Sequence, residues 1–186
     1  AWADTEKSAS RLAQALNAGG KPVLVASAKP RPLIDAAKLL GIGYLITERK
    51  EYLSAARIYS RQLAGVTPPS TGGDYTQGGR IEAMAILYDW LFDELSSAQR
   101  TLIANGIKKT IPLLSDYICG KKNALNESWA CTKMPTYPNA LDGHSYQNNK
   151  EILAGVLAII DENPQLMPLL QLEFSNFSGV YNDVRE

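Results

Sequence analysis

The sequence predicts an all-α protein of stacked antiparallel helical hairpins, an incomplete (α/α) toroid in one domain over residues 1–186. Three observations carry that expectation. Strand signals are nearly absent, the short β-branched run "KPVLVAS" at 21–27 being the exception. Most of the rest recurs at helical period. The segments "GYLITERKEYLSAA", "YDWLFDELSSAQRTL" and "LAIIDENPQLMPLL" share one layout, an apolar helix end, a short polar turn and an apolar helix start. Units that cannot bury their apolar faces alone do so by stacking on copies of themselves.

The elements follow in order. Residues 33–46 and 51–64 read as two helices joined by "TERK". Residues 80–95 and 98–118 form the next pair, and Pro112 should kink the second helix because proline removes a backbone donor. Residues 150–162 and 165–177 form the last pair. Ser96 and Gln99 have the S-x-x-Q spacing of a capping box, in which each residue satisfies an orphan donor of the other. Asn163 before Pro164 reads as an N-cap with proline at the first helical position. The 80–95 helix is apolar nearly all round, with Ile81, Met84, Ile86, Leu87, Trp90 and Leu91 on different sides, so it should lie between layers.

Two stretches, 65–79 and 120–143, are rich in Gly, Pro, Ser, Thr and Asn and read as long loops. Loops of that length inside a compact domain are often functional. Each leads into a helix start, so both can cover one end of the stack. They carry Tyr75, Gln77, Asn126, Trp129, Tyr137 and Asn139. Aromatic rings stack on sugar C–H groups and amides bond hydroxyls, so this mixture suits a glycan. The competing reading is that Trp129 and Tyr137 pin the loop to the core.

Charge and composition narrow the partners. Nineteen basic residues balance 19 acidic ones, with 45% hydrophobic and 20% charged residues. Such a balance argues against a nucleic-acid partner, which would favour a basic excess. No run approaches the roughly 20 apolar residues that span a bilayer, so no membrane segment is expected. Cys119 and Cys131 lack a second pair, which argues against zinc and leaves two readings, free thiols or one disulfide. No cofactor or metal is called for.

The chain has one histidine, His144, in "DGHSYQNNKEILAGVLAIIDENP". On a helix through this stretch, at about 100° per residue, Ile152, Leu153, Val156 and Ile160 share an apolar face. His144 groups instead with Asn148, Glu151 and Gly155, and Gln147 lies nearby. A histidine in a first helical turn meets the positive end of the helix dipole, which disfavours imidazolium. A neutral ring can accept a proton; an exposed or capping histidine without a task fits the same position. Asn149 points to the apolar side and needs a partner there. Asp89 and Asp93, four apart, could serve a glycosidase or form a solvated helix edge.

Two stretches together resemble the heparinase II/III family of polysaccharide lyases. "MAILYDWLFDELSSAQRTLI" is similar to the family's tyrosine-aspartate-tryptophan helix and following hairpin, and "DGHSYQNNKEILAGVLAIIDENPQL" to its glycine-histidine helix. The likeness covers about residues 33–175. It implies a toroid that binds an acidic polysaccharide, such as a glycosaminoglycan or alginate, and cleaves it by β-elimination beside a uronate. That chemistry needs a neutralised carboxylate, a base and an acid for the leaving oxygen. The resemblance makes His144 the catalytic candidate. Gln147, Asn148 and Asn126 are chosen by residue type as substrate-binding amides, with Trp129, Tyr75 and Gln77 from the loops. It also implies a periplasmic or secreted bacterial enzyme. Gln147 stands where many members have glutamate, and no second histidine or matching catalytic tyrosine is present. The β-sandwich domain of the family is absent from these residues. The chain therefore reads as the N-terminal part of a longer lyase, or as a relative that binds glycans or proteins without cutting.

Overall fold

The computed structural model describes residues 2–20, 30–65, 74–118 and 143–183. All described secondary structure is helical: α1 (Trp2–Asn17), α2 (Pro30–Thr47), α3 (Lys50–Gly65), α4 (Asp74–Trp90), α5 (Ser97–Ile118), α6 (Gly143–Ile159) and α7 (Met167–Asp183). The expected all-α class is what forms. "KPVLVAS" at 21–27 lies outside the described residues.

Residues 2–17, which the sequence reading leaves unassigned, form an amphipathic helix. Ala9, Ala13 and Leu16 are buried while Lys7, Arg11 and Gln14 face solvent. Gly19 ends α1 at φ +82°, with Gly19 N–H donating to Leu16 O at 3.0 Å and Gly20 N–H to Ala15 O at 2.9 Å. This is a Schellman termination, which glycine enters without a Cβ clash.

The expected hairpins are present as α2–α3, α4–α5 and α6–α7, each pair packed together. Their turns are short because local chemistry closes them. Ser96 N–H donates to Gln99 Oε1 at 3.0 Å and Gln99 N–H to Ser96 Oγ at 3.3 Å, completing the capping box. The Asn163 expectation is half met. Pro164 does open a single 3-10 turn, Pro164–Leu166, but Asn163 makes no side-chain cap to it. Its amide turns back instead, donating to Ile159 O at 2.9 Å and accepting from Lys108 Nζ at 2.9 Å. It thus closes the end of α6 and ties that end to α5. The 80–95 helix stops at Trp90 and continues as a 3-10 turn, Phe92–Glu94. α5 runs through Pro112 to Ile118 without a break in its helical assignment.

The most extensive packing is between α2 and α4 and between α4 and α6. Contacts advance along both partners together: Gly41 and Tyr44 of α2 meet Trp90 and Glu94, and Gly78 and Tyr88 of α4 meet Glu151 and Glu162. Helices α2, α4 and α6 therefore run parallel as one row. α3 packs against α1 and α5 in a second row. Ile81, Met84, Leu87 and Tyr88 of α4, and Leu91 just beyond it, are all within 1% of full burial. The expected between-layers position is only partly met: α4 is covered by α2, α5 and α6, but it lies within a row, and Glu82, Ile86, Asp89 and Trp90 on its remaining side keep solvent contact.

Candidate functional site

Parallel packing brings the starts of α4 and α6 to one end of the array. There residues 74–79 of the expected loop at 65–79 belong to α4 and Gly65 ends α3, while 66–73 lie outside the described residues. Gly78 and Gly79 read as loop residues in sequence, yet Gly78 serves close helix packing. The carboxylate of Glu151 on α6 occupies the space a Cβ at Gly78 would fill. Tyr75 lies in the first turn of α4 by its backbone.

Under these helix starts lies a buried polar group. Gln77 is buried and its Oε1 accepts from Arg80 Nη1 at 2.8 Å. Arg80 also donates through Nη2 to Leu63 O at 2.7 Å, which ties α4 to the last turn of α3. Burial pushes the Arg80 guanidinium down to about 10, so it stays charged at neutral pH. Glu151 has no exposed surface, and Gln147 Nε2 donates to its Oε1 at 2.9 Å. Asn149 is buried, and its Oδ1 has no hydrogen-bond partner among the described residues. On the solvent side, Lys150 Nζ pairs with Glu82 at 2.8 Å across the α4–α6 contact.

Among the expected site residues, Gln77 and Gln147 thus come to the same end but engage Arg80 and Glu151, respectively. His144 occupies the first turn of α6, as its flanking residues predict. Its side chain and those of Tyr75 and Asn148 lie outside what the structure describes, as do Asn126, Trp129, Cys119 and Cys131 altogether. The face assigned to His144 by angle is corrected two turns on. Glu151 and Gly155 are not a polar edge but the α4-facing seam, where an added Cβ at Gly155 would overlap Ile81 and lie 3.1 Å from Ile107 Cγ2. Sequence reading missed Arg80 and Glu151 as buried charges. Their signal was a charge at helical spacing on elements otherwise too apolar to be surface helices.

No family model, curated protein or solved structure matches the chain.

The opposite end holds the turns together. Tyr44 of α2 donates to Glu94 Oε1 at 2.6 Å, and Tyr88 of α4 donates to Glu162. In each case a tyrosine of the α2–α4–α6 row reaches the turn of the next hairpin. Each glutamate is backed by an arginine from the other row, Arg57 of α3 at Glu94 O and Arg100 Nε of α5 at Glu162 Oε1, the latter at 3.0 Å. Tyr44 is pushed above the ordinary phenol range mainly by its bond to Glu94. Tyr88 is raised first by burial, then by Glu162. Asp89 and Asp93 are both exposed, Asp89 on α4 and Asp93 on the following 3-10 turn. They are four apart in sequence but not on one helix. Among the described residues no three His, Cys, Asp or Glu groups could hold a metal ion, and no helix is long and apolar enough to cross a membrane.

Proposed function

We propose that the chain is the toroid part of a polysaccharide lyase that cleaves a uronic-acid-containing polysaccharide by β-elimination, with His144 as the proton-transferring residue. The observation that carries the reading is the convergence of the α4 and α6 helix starts above the Gln77–Arg80–Gln147–Glu151 group. A parallel inner row is the arrangement an α/α toroid requires. The first turns of parallel helices present unbonded N–H groups and positive dipole ends, which favour a uronate carboxylate. His144, in the first turn of α6, is the group proposed to take the proton next to that carboxylate. Tyr75, Gln77, Asn126, Trp129, Gln147 and Asn148 remain the proposed substrate-binding set, and periplasmic or secreted placement follows from the substrate.

A second reading, a toroid module that binds glycans or proteins without cutting, is favoured by the exposed side of the inner row. That side mixes Arg31, Asp35, Lys38, Glu82, Asp89 and Lys150 with exposed Leu45 and Ile46, and two of its cations are already paired with acids. Incubation with heparan sulfate, chondroitin, alginate and ulvan, followed by detection of unsaturated uronate ends, separates the two. Product formed by the wild type and lost in His144→Ala with unchanged melting supports the lyase. Binding of an acidic polysaccharide without unsaturated ends supports the module.

A further inference from the structure

Helix α6 carries a second surface, independent of the polysaccharide reading. It packs on α4, α5 and α7, and Glu151, Ile152, Gly155, Val156 and Ile159 are buried. The side left over runs through Lys150, Leu153, Ala154 and Leu157, and Asp161 extends it in the turn just beyond the helix. At about 100° per residue, Lys150, Leu153 and Asp161 fall within about 40° of Leu157, and Ala154 within about 60°. Leu157 is 54% exposed, while Leu153 and Ala154 are half-buried.

The other edge of the array is finished differently. There α1 covers α2 and α3 and turns Lys7, Arg11 and Gln14 to solvent. The α1 surface is polar, whereas the remaining side of α6 carries Leu153 and Leu157.

The order of residues on that side says what fits it. Reversing its direction about the midpoint between Gly155 and Val156 exchanges Lys150 with Asp161 and Ala154 with Leu157. A twofold axis through that point would set each Leu157 on the small Ala154 of the other copy, and each Lys150 against the other copy's Asp161. This is the self-complementarity that an isologous interface demands. Asp161 is exposed, and the Lys150 side chain keeps 43% exposure while holding Glu82, so its remaining donors can serve a second carboxylate. We propose that α6 docks antiparallel on α6 of a second copy of this chain through Lys150, Ala154, Leu157 and Asp161.

Sedimentation equilibrium across a wide concentration range tests this, with thermal melting by circular dichroism confirming that each variant folds. The wild type is expected to show a reversible monomer–dimer equilibrium. Leu157→Glu should be monomeric throughout with an unchanged melt. Asp161→Lys sets like charges opposite one another twice and should raise the dimer Kd at least about tenfold. Adding Lys150→Glu to that variant reverses both partners of each pair and should return most of the lost affinity. A wild type that stays monomeric at the highest concentrations overturns the proposal. So does a dimer indifferent to Leu157→Glu, or a double variant no tighter than Asp161→Lys.

Discussion

Replacing Gly106 by alanine tests the stacking of the hairpins at one atom. Gly106 sits mid-way along α5 with Ala64 of α3 and Met84 of α4 against it. A Cβ there would lie 2.8 Å from Ala64 Cβ, 2.9 Å from Ala64 Cα and 2.9 Å from Met84 Sδ. Alanine in a helix interior is intrinsically better than glycine by about 1 kcal/mol. Overpacking a closed core opposes it with about 1–3 kcal/mol. Met84 can yield, because methionine is flexible, but Ala64 Cα belongs to the backbone of α3 and moves only with its helix. The packing cost should therefore win, for a net loss of about 1–2 kcal/mol. In a chain of this length each kcal/mol shifts Tm by about 2–4 °C. Urea and thermal unfolding followed at 222 nm, roughly the usual helix band, read the difference. Gly65 is the control: it also lies on a helix, and nothing stands within 4 Å of its added Cβ. Gly65→Ala should be neutral or slightly stabilising. If Gly106→Ala stabilises as much as Gly65→Ala, the close approach of α5 to α3 is wrong.

Three further outcomes follow from the same geometry. Tyr88→Phe removes the phenol that reaches Glu162 and should cost about 1–2 kcal/mol in urea unfolding, since the bond is to a charged acceptor. Glu48 has φ +55° just past the end of α2, where a side chain is strained, so Glu48→Gly should raise stability by about 0.5–1 kcal/mol by the same measurement. Tyr44, Tyr59 and Tyr88 all ionise above the ordinary phenol range of 10.0 in the fold. A raised pKa means that the fold favours the protonated phenol. Its stabilising share is complete below the unfolded value of about 10 and declines as pH rises past it. A pH series of melts should show Tm falling above about pH 10, and less steeply in a Tyr44→Phe, Tyr88→Phe double variant.

The helical class and the hairpin turns were legible because they rest on local signals. Ser96 and Gln99 are three apart and make their bonds to each other, and the apolarity of 80–91 announces a helix with neighbours on most of its sides. What was not legible depends on neighbours distant in sequence. Gly78 looks like a loop residue until Glu151, on another helix, is seen to need its space. Asn163 has the right chemistry for an N-cap, but Lys108 and Ile159 O offer it partners that only the folded array provides. The angular grouping of His144 with Glu151 was sound as geometry. It failed as a statement of exposure, because periodicity marks which residues share a side and not whether a neighbouring helix covers it. For the candidate site, Gln77 and Gln147 were recognisable as amides, and both lie at the helix-start end, whereas their partners Arg80 and Glu151 are charges that a sequence pattern assigns to solvent.

The placement of the binding end is tested most directly by amide chemical-shift mapping with an acidic uronate oligosaccharide on the isotope-labelled protein. Perturbations are expected to concentrate at the starts of α4 and α6, around 75–80 and 144–151, with the turn end around 44–49, 88–96 and 160–166 unchanged. Perturbations confined to the turn end, or none at saturating oligosaccharide, would contradict it.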